Sequence, residues 1–191
     1  MSGVGDGCLV VDPSRGCDAV LDYLGEHGMR LRGIVLTHAH FDHQWGIAEL
    51  RDVSPRATVW VHAGDRPLLR RPDLNGSPML GVQVTCGEPI EELREGPMEI
   101  GGFRFTVLHV PGHSPGGCAV VGEGWCLSGD SLFAGSIGRT DFVGGNMETL
   151  LGAIREKLFA LPDATVVHPG HGGRTTIGRE KRCNPFLRGE D

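Results

Sequence analysis

Short apolar runs alternate along this chain with Gly- and Pro-rich punctuation, and the spacing of the apolar positions predicts most of the elements. Cys8 to Val11 is apolar and stops at Asp12-Pro13, which predicts a strand ending in a turn. Val20, Leu21 and Leu24 recur at helical spacing, so a helix is expected from Asp18 to His27 with Gly28 as its stop. Gly33-Ile34-Val35-Leu36 is a continuous apolar run between polar residues and reads as a buried strand. It leads directly into Thr37-His38-Ala39-His40-Phe41-Asp42-His43. A helix from Gln44 to Arg51 and a short strand at Val59 to Val61 follow.

Between Gly64 and Gly76 the pattern is mixed. Asp65 is placed to cap a short helix that Pro72 and Asn75-Gly76 would close. Strands are then expected at Val82–Thr85, Phe103–Val110, Cys118–Val121 and Trp125–Leu127, with Gly-rich turns between them. From Glu148 to Ala160 the chain becomes amphipathic, with Leu150, Leu151, Ile154, Leu158 and Leu161 on one face against Glu148, Arg155, Glu156 and Lys157. A last strand at Val166-Val167 runs into His168-Pro169-Gly170-His171. Helices early, midway and late between runs of strands predict an α+β protein with helices outside packed sheets, in preference to a parallel βαβ sheet.

Composition narrows the function. At 191 residues the chain is expected to form one domain, residues 1–191, and its 39% hydrophobic and 22% charged content is that of a globular protein. No apolar run reaches the roughly 18 residues of a membrane span, so no membrane partner is expected. A formal charge of -6 advertises no basic face, which disfavours nucleic acid as a partner. The opening MSGVGDGCLVVD lacks a basic stretch followed by a long apolar one, so the cytoplasm is the expected location. Cys8, Cys17, Cys86, Cys118, Cys126 and Cys183 form no C-x-x-C pair and read as free thiols, several of them buried.

The chemistry concentrates in His38-x-His40-x-Asp42-His43. Imidazole and carboxylate donors suit zinc and other first-row metals, and alternate residues of an extended segment point to one side. His38 and His40 can share one metal, while Asp42 and His43 reach a second. Three further donors stand on loops directly after predicted strands: His113 in Pro111-Gly112-His113, Asp130 in Gly129-Asp130-Ser131, and His171 in Gly170-His171-Gly172. With Asp130 as bridge, His113 completes the first site and His171 the second. His27, His62, His109 and His168 lack such a context and read as ordinary core or surface histidines.

These segments resemble the metallo-β-lactamase-fold superfamily and, within it, compact glyoxalase II-like hydrolases. The resemblance runs from Val11-Asp12-Pro13 through the histidine cluster, Gly138-Arg139-Thr140-Asp141-Phe142 and Gly170-His171 to Thr176, Glu180 and Asn184-Pro185-Phe186-Leu187. It implies an αββα four-layer sandwich with the metals at one edge of the two sheets. Family members open with a pair of strands where only about ten residues precede Asp12-Pro13 here, so the sandwich is expected to be shortened at its first strands.

The activity implied is hydrolysis of a thioester such as S-lactoylglutathione by two divalent metals, zinc in the first instance with iron or manganese as alternatives. Such metals lower the pKa of a shared water toward about 7. Asp42 is the catalytic candidate, orienting that water, and Arg139 the candidate for substrate contact, with a buried ion pair to Asp141 as its structural alternative. Metallo-β-lactamases proper carry Cys or Ser where Asp130 stands, which argues against that activity. Ending at Asp191 soon after the last donor, the chain is expected to lack the C-terminal helical domain with which full-length glyoxalase II binds glutathione, and Trp45 replaces a small residue, so a reshaped pocket is expected.

Two alternatives remain. A persulfide dioxygenase, which resembles this pattern, would use a single iron on His38, His113 and Asp130. A non-catalytic metal-binding protein of the same fold is the other.

Overall fold

Alternation within the buried strands decides the layers. In the computed structural model, which describes residues 6–188, β1 (Gly7–Val11) pairs in parallel with β2 (Arg30–Val35), and β3 (Val59–Val61) and β4 (Ile90–Glu92) extend the sheet in parallel. Ile34 and Val35 are neighbours in β2 yet belong to different cores, because successive side chains leave a strand on opposite faces. Ile34 packs with Leu36, Leu50, Val59 and Leu69 on the outer side, beneath α1 (Asp18–Glu26), α2 (Phe41–Gln44) and α3 (Ile47–Val53). Val35 packs inward with Leu9, Val11 and Trp60 against a second sheet.

That second sheet is an antiparallel meander of β5 (Gly96–Ile100), β6 (Phe103–His109), β7 (Cys118–Gly122) and β8 (Trp125–Gly129). A small hairpin, β9 (Leu132–Phe133) with β10 (Ser136–Ile137), stands apart from it. Beyond β8 the sheet adds β11 (Val166–Pro169) in parallel and β12 (Thr175–Thr176) antiparallel. Val107 and Val120 face the first sheet, while Ala119, Cys126 and Val167 face α4 (Met147–Ala153), its wider π turn at Ile154–Leu158, and α5 (Ile177–Cys183). Helices, sheet, sheet and helices therefore stack as the αββα sandwich. Each fully buried aliphatic side chain in these layers contributes about 1.5–3 kcal/mol.

Several expectations need correction. The first sheet is parallel and its connections are βαβ crossovers through α1 and through α2–α3, although the pattern argued against them; hydropathy reads burial and period, and carries no strand direction. Val82–Thr85 is not a strand. Its backbone is met by side chains instead: Asn75 Nδ2 donates to Val84 O at 2.9 Å and Val84 N donates to Ser77 Oγ at 3.1 Å. The helix expected from Glu148 begins at Met147, where Asn146 caps it by accepting from Thr149 N at 2.8 Å, and it turns from α to π at Ile154. β4, β5, the small hairpin, β12 and α5 lay outside the pattern's reach. All six cysteines are free, four of them buried. No helix among the described residues is long and apolar enough to cross a membrane.

Candidate metal centre

Two carboxylates, one half-buried on Asp12 and one fully buried on Asp65, hold the histidine-rich loop in shape before any donor is considered. Asp12, at the end of β1 with φ +49°, accepts from Thr37 N at 2.7 Å and Thr37 Oγ1 at 2.6 Å, and its Oδ2 lies 3.1 Å from His43 Nδ1. Asp65 accepts from Ala39 N at 2.9 Å, Ser114 Oγ at 2.7 Å and Gly116 N at 2.6 Å. It thus ties the loop after β2 to the loop after β6. Burial pushes the Asp65 carboxyl above its ordinary range, against those three hydrogen bonds. The sequence reading had Asp65 as a helix cap; the cap of that 3-10 turn (Ala63–Leu69) is His62, which accepts from Gly64 N at 3.2 Å. Neither Asp12 nor Asp65 stood out in the sequence as part of the site, because their partners lie 25 to 51 residues away.

The loop after β6 turns at Gly112, whose φ of +125° and packing leave no room for a Cβ, which would lie 2.6 Å from Leu150 Cα. That turn aims His113 inward. Its Nδ1 donates to Arg139 O at 2.7 Å, which leaves the lone pair on Nε2. Nε2 in turn lies 2.9 Å from His40 Nδ1 and 3.2 Å from His38 Nε2. Burial first, then the neighbouring imidazoles, push His38 well below the ordinary histidine range and His40 to about 3. Burial likewise lowers His113. All three are therefore neutral at pH 7 and present lone pairs.

Asp130, directly after β8, faces His43, His113 and His171. Its Oδ1 is 3.4 Å from His43 Nε2, and its Oδ2 is 3.7 Å from His113 Nε2 and 3.5 Å from His171 Nε2. Asp42 Oδ2 lies 3.0 Å from His171 Nε2 and 3.7 Å from His43 Nε2. Burial opposes a charge on His43, yet Asp12 and Asp130 outweigh it and hold the imidazole well above its ordinary range. The same field of carboxylates favours any cation at this point.

The structure brings together all of His38, His40, Asp42, His43, His113, Asp130 and His171. They fall into overlapping groups, His38–His40–His113, His38–His43–Asp130 and Asp42–His43–His171, each with donor atoms within 4.8 Å of one another. The donor set fits a metal. His43 Nε2 and Asp130 Oδ1 are buried without a hydrogen-bond partner, a costly arrangement for polar atoms unless a cation meets them. Gly170 keeps the space beside them open, since a Cβ there would lie 2.6 Å from His43 Cε1.

Two clefts meet at this cluster and share Asp42 and His171. One, of about 370 Å³, has apolar walls from Phe41, Met79, Leu80, Phe133, Ile137 and Phe142. The other, of about 330 Å³, is bounded by Asp12, Ser14, His168 and Pro169. Trp45 lines neither, contrary to expectation; it stands under the Arg15 guanidinium at 5.2 Å and 5.7 Å from the Phe41 ring. Arg139 sits at the mouth of the apolar cleft, forked onto Asp141 at 2.9 and 2.8 Å and 4.7 Å above the Phe142 ring. That ion pair is exposed, where the sequence alternative had it buried.

The C-terminal motif acts on the cleft wall from behind. Glu180, fully buried on α5, accepts from Gly135 N at 2.8 Å, Thr175 Oγ1 at 2.5 Å and Asn184 Nδ2 at 2.9 Å, and Asn184 Nδ2 also donates to Ser136 O at 2.9 Å. Together they pin the β9–β10 hairpin that presents Phe133 and Ile137.

Comparison with known proteins agrees with this geometry. The model of the Metallo-beta-lactamase superfamily matches residues 3–171. A probable metallo-hydrolase of Bacillus subtilis, YqgX, is 44% identical over 189 residues, 96% of this chain and 89% of that protein. The hydroxyacylglutathione hydrolase GloC of Haemophilus influenzae is 34% identical over 183 residues, 93% of this chain and 86% of that one. Among solved structures, BLEG-1, described as a B3 metallo-beta-lactamase, superposes with a TM-score of 0.91 at 40% identity, covering 99% of this chain and 92% of its own. TTHA1623, solved in a di-iron-bound form, gives 0.82 at 40% identity over 92% and 87%.

Proposed function

The chain belongs to the metallo-β-lactamase superfamily, and on that footing we propose that it is a metallo-hydrolase that cleaves a thioester with two divalent metal ions. The observation that carries the reading is Asp130, whose two oxygens lie 3.4 to 3.7 Å from nitrogen donors of both groups. His38, His40 and His113 would hold one metal and Asp42, His43 and His171 the other, with Asp130 shared. When bound, the metals supply Lewis acidity that lowers the pKa of a shared water toward about 7 and polarises the carbonyl.

The chain's own residues do the rest. Arg139 O and Asp12 orient His113 and His43 through their far ring nitrogens. Asp42, part-exposed at the junction of the two clefts, accepts a hydrogen bond from the attacking water and passes its proton to solvent. In the overall reaction the water oxygen bonds to the acyl carbon, the carbon–sulfur bond breaks with its electron pair on sulfur, and of water's two protons one ends on the thiol and the other on the carboxylic acid, which releases it to solvent. S-lactoylglutathione is the reference substrate, supported by the resemblance to GloC. Zinc suits the imidazole and carboxylate set, and the di-iron neighbour makes iron its competitor.

Elemental analysis of protein purified without chelator, followed by turnover of a thioester, lactone and β-lactam panel, tests this. Near two metals per chain with thioester turnover is expected. Preferred cleavage of the β-lactam, a possibility raised by BLEG-1, would overturn the thioester assignment. The closeness of His38, His113 and Asp130 favours a second reading, a single-iron dioxygenase on two imidazoles and one carboxylate. One iron per chain with oxygen uptake on glutathione persulfide would establish it in place of the hydrolase. Two bound metals with no turnover of any substrate would leave the non-catalytic reading.

A further inference from the structure

The walls of the apolar cleft carry information that the metal donors do not. Phe41, Met79, Leu80, Phe133, Ile137 and Phe142 surround an opening of about 370 Å³ whose floor is His40, His113, Asp130 and His171. Arg139 is the one Lys or Arg among its lining residues, and its guanidinium is already forked onto Asp141. Met79 and Leu80, on the 3-10 turn Ser77–Leu80, are 59% and 63% exposed, so they stand bare at the rim. A glutathione group carries two carboxylates and an ammonium. Bringing its carboxylates into such walls costs desolvation with no free Lys or Arg among those lining residues to offset it.

From this geometry we propose that the cleft selects thioesters with an unbranched, uncharged acyl chain on an uncharged thiol, in preference to glutathione thioesters. The inference rests on the hydrolase reading above and specifies its substrate class. The acyl chain lies along Met79, Leu80 and Phe142. The sulfur lies toward His171, 57% exposed by side chain, where water can solvate the thiolate that leaves. Each methylene added to the acyl chain removes apolar surface from water until the cleft is full. At the usual transfer free energy, each raises kcat/KM roughly fourfold.

The test uses acetyl, butyryl and hexanoyl thioesters of N-acetylcysteamine beside S-lactoylglutathione, on metal-loaded protein. A rise of about fourfold per methylene until the cleft is full, up to about 250-fold over the four methylenes from acetyl to hexanoyl, with S-lactoylglutathione below the hexanoyl ester, is expected. A flat series, or S-lactoylglutathione as the best substrate, would overturn the inference while leaving the hydrolase reading standing. Calorimetric binding of the hexanoyl ester to metal-free protein reads the cleft without turnover. Leu80→Ser changes an exposed position and should weaken that binding severalfold; unchanged binding, or tighter binding of S-lactoylglutathione by the parent protein, would also overturn it. Turnover of no thioester together with tight hexanoyl binding would support the cleft assignment and remove only the hydrolase reading.

Discussion

The two sides of the donor cluster differ in their access to water. His38, His40 and His113 are 1%, 4% and 4% exposed, whereas the side chains of Asp42 and His171 are 30% and 57% open. The buried side meets its chemistry through neutral imidazoles kept unprotonated by desolvation. The open side adds carboxylate charge where solvent can enter and substrate can arrive. A buried, all-imidazole pocket and an open, mixed one are expected to hold metal with different tenacity, the open one exchanging first.

Breaking the element common to both sides should have the largest effect. Asp130→Ala is expected to lower metal content on both sides and cut kcat/KM by about 10³-fold or more, several kcal/mol of transition-state stabilisation. Retention of two metals with parent turnover would show that the sides do not share this carboxylate.

The acid stability of the metal-free protein tests the buried side alone. His38, His40 and His113 have folded pKa values below the unfolded value of about 6.5, His40 at about 3. The unfolded chain therefore binds more protons as pH falls from about 6.5, and stability drops through that window by on the order of 1 kcal/mol per pH unit for each of the three histidines. His43, raised, contributes stability that is already complete below 6.5 and is lost only as pH rises through its folded value, so it cannot compensate. Asp130, lowered against its burial by the surrounding histidines, loses its contribution only below the carboxylate range. Denaturant midpoints that stay level between pH 7 and 4.5 would contradict the burial argument.

Asp65→Ala asks how far the buried side depends on its tie to the neighbouring loop. It leaves Ala39 N and Gly116 N without their acceptor and is expected to cost about 2–4 kcal/mol, a thermal midpoint lower by about 5–15 °C. An unchanged midpoint would mean that the loops hold their shape without it. The smallest effect belongs to the open side: His171→Ala should reduce metal from two toward one per chain and turnover by about 10- to 100-fold. Chelator titration of the parent protein should show the same order of loss. Simultaneous release of both metals would erase the distinction between the sides.

The seven donor candidates were readable beforehand, because His38, His40, Asp42 and His43 lie within six consecutive positions and His113, Asp130 and His171 each follow a strand that hydropathy could find. Burial periodicity likewise carried the strands at Gly33–Leu36 and Cys118–Val121. It failed where side chains replaced ladder hydrogen bonds, as at Val82–Thr85 around Asn75 and Ser77. It failed again for α5, whose surface is rich in charge and whose buried Glu180 is held by partners at Gly135, Thr175 and Asn184 that no apolar period marks.

By itself, the sequence determined the donor types, their local spacing and the layers in which apolar faces must be hidden, since these depend on residue chemistry and periods of a few residues. Tertiary structure alone decided that the first sheet runs parallel, that Asp12 and Asp65 brace the loops, and that the walls beside the donors are apolar. Each of those depends on contacts between residues far apart in the chain, whose distances no local pattern encodes.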